Sequence, residues 1–187
     1  MLKSLALLLT TSAATFATVV SDTNVTLRVP GYFYQYALRI YQDAAATDYT
    51  EIEFDRSGQN LTLRMENADE GSDWYFAALN NPFTAATISQ GSFTPFSPAQ
   101  PTHNVGFTDF YFGINTGKGF AGGTPGREVF GWALLRNSAS GLQLLGSAVT
   151  YDRPGIVIGT TTTVPEPTAA LLLAGAAFPL LLRRRRG

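Results

Sequence analysis

Residues Asn60–Glu66 alternate without a break, Leu61, Leu63 and Met65 on one side and Thr62, Arg64 and Glu66 on the other. Side chains two positions apart share a face only in an extended strand, so this run predicts a half-buried strand and excludes an amphipathic helix. The pattern recurs. Asn24–Val29 sets Val25, Leu27 and Val29 against Thr26 and Arg28, and Glu51–Asp55 sets Ile52 and Phe54 against three carboxylates. Further strands are predicted over Tyr32–Tyr41, Asp73–Leu79, Phe107–Ile114, Glu128–Leu135 and Leu142–Asp152, with Gly155–Gly159 closing the sheet. The run Asp55-Arg56-Ser57-Gly58-Gln59-Asn60 and the run Arg136–Gly141 carry turn chemistry, which joins their neighbours into two hairpins. Strands at these spacings predict an all-β body, an antiparallel β-sandwich of jelly-roll or concanavalin-like form. The one helical candidate inside it is the short, alanine-rich Asp43–Thr47, with a plain turn as the alternative. Two stretches read as long irregular loops. Asn80–His103 is rich in Pro, Ser, Thr and Phe, and Thr116–Gly126 carries glycine at 117, 119, 122, 123 and 126.

The two ends follow other rules. Lys3 precedes an apolar stretch that runs from Leu5 to Ala17, with small residues at Thr15 and Ala17. This predicts a secretory signal peptide over residues 1–17, cut after Ala17, with Ser12-Ala13-Ala14 as a competing site. At the far end, Val164-Pro165-Glu166-Pro167-Thr168 precedes an apolar run from Ala169 to Leu182, and Arg183, Arg184, Arg185 and Arg186 follow. Fourteen apolar residues make a helix about 21 Å long, short of the roughly 30 Å hydrocarbon core. Starting from Pro165 gives eighteen positions, near the lower limit for a span. Arginines beside such a segment stay on the cytoplasmic side, and membrane helices tolerate a proline such as Pro179. The predicted organisation is a signal helix over 1–17, a β body over 18–159, and a spacer with a C-terminal signal over 160–187, whose transmembrane helix covers 168–182.

With both ends set aside, eight basic and thirteen acidic residues remain, a net charge of −5. An acidic body argues against nucleic acid and anionic lipid as partners. There is no cysteine, so no disulfide staple is available. His103 is the only histidine, and no Gly-x-Ser-x-Gly elbow occurs. A zinc site or a Ser-His-Asp set therefore lacks its parts, and His103 reads as an ordinary loop residue. The Gly117–Gly126 stretch contains no Gly-Lys-Ser/Thr and precedes a strand, which suits a hairpin loop and not a phosphate cradle. Asp69, Glu70 and Asp73 crowd Gly71 without the Asp-x-Asp-x-Asp-Gly spacing of a calcium loop and read as a surface turn. No cofactor and no metal is expected.

Glu51, Glu53 and Asp55 are the one arrangement with catalytic potential. Residues i, i+2 and i+4 of a strand line one side, and carboxylates about 6–7 Å apart can act as acid and nucleophile in glycoside cleavage. The spacing resembles the Glu-x-Asp-x-Glu strand of laminarinase-type hydrolases, with Glu53 and Asp55 where that family has Asp and Glu. The bland alternative is a solvated strand face opposite Ile52 and Phe54. The aromatics Tyr32, Phe33, Tyr34, Tyr36, Trp74, Tyr75, Phe76 and Trp132 read mostly as core, with some turned outward where they could stack on sugar rings.

A proline-glutamate-proline motif, a short apolar helix and an arginine cluster, in that order, resemble the PEP-CTERM sorting signal of exosortase-bearing Gram-negative bacteria. The resemblance covers about two dozen residues of the tail. It implies that Pro165, Glu166 and Pro167 are recognised by a membrane sorting protease, that the helix is a temporary membrane anchor, and that Arg183–Arg186 stop transfer. Phe110-Tyr111-Phe112-Gly113-Ile114-Asn115-Thr116-Gly117, then Val129-Phe130-Gly131-Trp132-Ala133, then Gly146-Ser147-Ala148-Val149-Thr150-Tyr151 with Gly155-Ile156-Val157-Ile158-Gly159, look like the order seen in bodies of such exported proteins. The implied setting is a cell surface or matrix rich in exopolysaccharide. A non-enzymatic surface protein is expected. The rivals are a glycan-binding module, with outward aromatics beside Gln90–His103, and a hydrolase, with Glu51 and Glu53 at the base of a groove. A self-assembling matrix protein would instead show a long uncovered edge strand.

Overall fold

The computed structural model describes residues 19–21, 24–30, 35–41, 45, 49–66, 72–116, 129–151 and 154–164, with backbone alone for 19–21, 65 and 66. These residues form an all-β chain of antiparallel sheets with one five-residue helix. In order the elements are β1 (Val19–Ser21), β2 (Val25–Arg28), β3 (Tyr36–Tyr41), β4 (Tyr49–Ser57), β5 (Asn60–Glu66), β6 (Asp73–Ala77), β7 (Pro82–Thr84), α1 (Ala85–Ser89), β8 (Thr94–Pro95), β9 (Thr102–Asn104), β10 (Asp109–Thr116), β11 (Val129–Ser138), β12 (Gly141–Thr150) and β13 (Gly155–Val157). One sheet has six strands in the order β1-β12-β11-β10-β6-β8, a second has five in the order β2-β3-β4-β5-β9, and β7 pairs with β13 alone.

The main core draws on both large sheets. Leu38, Ile40, Ile52, Phe54 and Leu61 of the five-stranded sheet share one apolar cluster with Trp74, Phe112, Ile114, Leu135 and Val149 of the six-stranded sheet. The Phe54 and Phe112 rings lie 6.3 Å apart. At Gly131 a Cβ would sit 2.8 Å from Ile40 Cδ1, so a glycine is what lets the two meet there. One end is fastened by polar groups. Arg56 sits two residues beyond Phe54, on the face that alternation turns inward. Its Nε donates to Asn137 Oδ1 at 2.6 Å and its Nη2 donates to the Ser138 carbonyl. Asn137 is buried, and its amide donates to the Gly58 and Gly106 carbonyls.

The six-stranded sheet is covered on its other face too. Phe130, Trp132 and Ala148 pack with Phe83, Phe93, Ile156 and Ile158, contributed by β7, β13 and the chain around them. A Cβ at Gly113 would stand 2.7 Å from the Phe83 ring, so this glycine makes room for the second layer. Two-sided burial explains why Phe110–Ile114 reads as a continuous apolar run and not as an alternation.

Both expected hairpins form. Ser57 pairs with Asn60 across a turn where Gly58 has φ +60°, and Ser138 pairs with Gly141 across Ala139-Ser140. Two expectations need correcting. Asn80–His103 is not one irregular loop, since β7, α1, β8 and most of β9 lie within it. There Thr84 caps α1: its hydroxyl accepts from the Thr87 amide and the Thr87 hydroxyl accepts from the Thr84 amide. That reciprocal cap starts a helix too short to show an apolar period. Nor does Gly155–Gly159 close a main sheet. Its first three residues pair with β7, in the layer outside the six-stranded sheet. Of the helical candidate Asp43–Thr47 only Ala45 is among the described residues, in a turn.

Candidate functional site

The outer face of the five-stranded sheet gathers the three sequence-predicted carboxylates. Glu51, Glu53 and Asp55 project from β4, the middle strand of the sheet, while Ile52 and Phe54 point into the core. An arginine meets each of them, from β3 and β5 on either side and from β2 one strand further out, where Arg28 reaches across Ala37 of β3. Arg39 of β3, directly opposite Glu51, donates from Nε and Nη2 to Glu51 Oε2 at 3.2 and 3.0 Å. Arg28 at the end of β2 donates from Nη2 to Glu53 Oε1 at 2.8 Å, and Arg64 of β5 pairs with Asp55. The β4–β5 register shifts between Glu53 and Phe54, a bulge that sets Arg64 beside Asp55.

The Arg39 guanidinium also lies over the Tyr49 ring, 3.6 Å from its centroid. Burial works against the charge on Arg39, yet hydrogen bonds to Glu51 and Tyr41 and the Glu51 charge outweigh it, and its pKa rises above the ordinary guanidinium value. Each carboxylate thus faces a fixed cation. Acid–nucleophile chemistry on sugars needs one carboxyl held protonated and another free to attack. Here each of the three carboxylates is instead engaged by an arginine. The arrangement is a cross-strand ion-pair ladder, the pairing that stabilises neighbouring strands on a solvated face.

The other sequence-predicted groups are scattered. His103 lies on β9, with Nε2 3.0 Å from the Gln100 carbonyl and its ring against Phe76 and Phe96. Asp73 opens β6, whereas Asp69, Glu70 and the Gly117–Gly126 stretch lie outside the described residues. Among the described residues no group of three His, Asp or Glu could hold a metal ion. Tyr36 and Trp74 are buried. So are Phe93 and Phe96, the aromatics of the loop where outward rings were expected of a sugar-binding module. Tyr32, Phe33 and Tyr34 lie outside the described residues; among the described residues the exposed large apolar side chains are Val29, Tyr49, Leu79, Phe107 and Leu145, which form no aromatic row.

Ala17, Pro165, Glu166, Pro167 and Arg183–Arg186 lie outside the described residues, as do residues 168–182. Among the described residues no helix is long and apolar enough to cross a membrane. The chain just before Pro165 is described, and it is not a free spacer. Thr163 bridges Ile156, the Val157 amide donates to the Thr162 carbonyl at 2.9 Å, and the Val164 amide donates to the Gly155 carbonyl at 3.1 Å. Trp132 Nε1 donates to the Thr160 carbonyl at 2.7 Å. Gly159, at φ +79°, makes the turn, because a Cβ there would strike Leu79 Cδ1 at 2.3 Å. Thr160–Val164 is therefore the return arm of a hairpin with β13.

Sequence reasoning missed the Arg56–Asn137 fastening and this hairpin. Arg56 carried a usable signal, a charge in the inward register of Ile52 and Phe54. The threonines before Pro165 carried none, since Thr160–Thr163 suits a linker and a strand equally. No protein-family model matches the chain, and no curated protein or solved structure matches it.

Proposed function

We propose that this chain is an exported, non-enzymatic protein of the cell surface or extracellular matrix, its body an antiparallel β-sandwich of jelly-roll or concanavalin-like form. A secretory leader cut after Ala17 carries it across the inner membrane. The apolar segment 168–182 anchors it briefly, with Arg183–Arg186 on the cytoplasmic side. An exosortase then acts at the PEP-CTERM motif Pro165, Glu166 and Pro167, and the body takes its place in an exopolysaccharide-rich biofilm.

The observation that carries this reading is the hydrogen bond from Val164 to Gly155. Folded structure runs up to the residue before Pro165, so a cut at or after the motif leaves the body and its last hairpin intact. The paired carboxylates Glu51, Glu53 and Asp55 support a structural surface over a catalytic one.

Intact mass of the mature protein from its native host, beside a variant with Pro165, Glu166 and Pro167 all changed to Ala, tests the proposal. Loss of the Ala169–Gly187 segment in the unaltered chain alone is the expected result. An unprocessed C-terminus in both chains would reduce the tail to a plain anchor.

A further inference from the structure

The arm that leads into the tail is held less firmly than the strand it returns along. On the inner arm, Gly155–Val157 pairs with β7, and Ile156 and Ile158 are fully buried in the second layer. The Asn80 amide donates to the Ile158 carbonyl and the Ile158 amide to the Asn81 carbonyl, each at 3.0 Å. The outer arm, Thr160–Val164, buries no side chain fully, and Thr161 and Thr162 are exposed. Beyond its tight turn, three hydrogen bonds among the described residues hold it. Two run to the inner arm, from the Val157 amide to the Thr162 carbonyl and from the Val164 amide to the Gly155 carbonyl. The third comes from Trp132 Nε1 to the Thr160 carbonyl. Segments with few buried apolar contacts and exposed hydrogen bonds open locally, ahead of the rest of a fold.

The motif that follows is poor in main-chain donors. Pro165 and Pro167 carry no N–H, so Glu166 alone supplies one within the tripeptide. A protein that takes a peptide as an extended strand holds it by main-chain hydrogen bonds. For a cut at the motif, the nearest further donor on the N-terminal side is the Val164 amide, and it is already given to the Gly155 carbonyl. The Thr162 carbonyl, two residues earlier, is engaged by Val157. The main-chain groups that such a protease would grip are those that close the hairpin.

We infer that Thr160–Val164 is a latch on processing. While the arm is docked, the chain before Pro165 is withheld from the sorting protease, and the cut waits until the arm has peeled from β13 and Trp132. The inference rests on the proposed processing at Pro165, Glu166 and Pro167 and adds what controls it. The core stays closed throughout, because Ile156 and Ile158 belong to the inner arm. Opening is then a local equilibrium, and cutting of a transiently opened chain follows the population of the open form when reclosing is faster than cleavage.

The test follows loss of the Ala169–Gly187 segment in the native host, by intact mass of timed samples after a pulse of synthesis. Trp132→Phe takes one bond from the latch and keeps a ring in place. It is expected to speed tail loss about five-fold, the effect of one hydrogen bond on a local opening. If circular dichroism shows Trp132→Phe unfolded, Thr160→Val loosens the arm from its own side, since the Thr160 hydroxyl donates to the Val157 carbonyl and accepts from the Thr162 amide. The opposite variant locks the arm. Val157→Cys with Thr162→Cys sets two cysteines face to face across the hairpin, in a chain that has no other. Such a pair has a Cα separation of about 5.5 Å, within the range a disulfide needs, and non-reducing mass mapping verifies the bridge. The bridged chain is expected to keep its tail, while each single-cysteine chain loses it at the ordinary rate. A tail cut in none of the chains would overturn the sorting reading and the latch with it. A tail cut at one rate in the unaltered, loosened and bridged chains would overturn the latch alone.

Discussion

The two large sheets of this protein were built to different rules, although they share a core. The six-stranded sheet is buried on both faces, against the five-stranded sheet on one side and the β7–β13 layer on the other. The five-stranded sheet is buried on one face and carries an ion-pair ladder on the other. Sequence follows environment in each. Strands β4 and β5 alternate because half their side chains meet water, and β10 and β11 do not because almost none do. Charge is therefore concentrated on the outer face of the five-stranded sheet and kept to the rim of the six-stranded one, where solvent takes up most of what an ion pair would otherwise contribute. Aromatic volume dominates the other, where loss of one ring leaves a void that the layers on either side cannot both fill.

A paired substitution puts numbers on that difference. Phe112 is fully buried and packs its ring against those of Phe54, Phe76, Phe96 and Phe110. Phe112→Ala is expected to cost about 3–5 kcal/mol in urea unfolding. Glu53→Gln, on the ladder beside a half-exposed Arg28, is expected to cost about 0–1 kcal/mol by the same measurement. Equal costs would break the comparison, and would mean that the ladder fixes strand register and does more than solvate a face.

A smaller effect separates the second layer from the first. Trp132→Phe keeps the ring packed but removes the donor to the Thr160 carbonyl. It is expected to cost about 1 kcal/mol globally, and to speed hydrogen exchange at the Val157 and Val164 amides while leaving Leu38 and Ile52 unchanged. Faster exchange throughout would mean that the β13 hairpin unfolds only with the whole body. Local opening would mean that the segment before Pro165 loosens while the core stays closed.

Much of the first layer was legible in the chain. The alternations of Asn24–Val29 and Asn60–Glu66, and the turns at Gly58 and Ala139-Ser140, are local patterns with local causes. They placed β2, β4, β5 and both long hairpins close to where they lie. The second layer was not legible, because what makes it is non-local. Phe83 matters through the space that Gly113 leaves thirty residues later, and Thr160 through the indole of Trp132. Likewise Glu51, Glu53 and Asp55 could be put on one face by counting. That Arg28, Arg39 and Arg64 would each meet one of them depended on strand order and on a bulge between Glu53 and Phe54, and neither can be counted from one strand.

The smallest expected effect concerns an ion pair on the six-stranded sheet itself, at the end where β10 and β11 leave the core. Arg136 donates from Nε and Nη2 to the two oxygens of Asp109 at 2.7 and 2.8 Å, on cross-strand partners that face solvent. The hydrogen bonds from Arg136, and then its charge, outweigh desolvation and hold the Asp109 carboxyl below its ordinary pKa. A folded-state pKa below the unfolded one stabilises the fold above the unfolded value and ceases to do so as pH falls through the folded value. Asp109→Asn should therefore narrow the gap in stability between neutral and strongly acid solution, and leave stability below the folded pKa nearly unchanged. Because the pair is solvent-exposed, raising ionic strength should shrink the effect further. A strong, salt-independent pH dependence at Asp109 would show this end of the six-stranded sheet to be drier than its exposed side chains indicate, and the contrast between the two sheets would then extend to the rim.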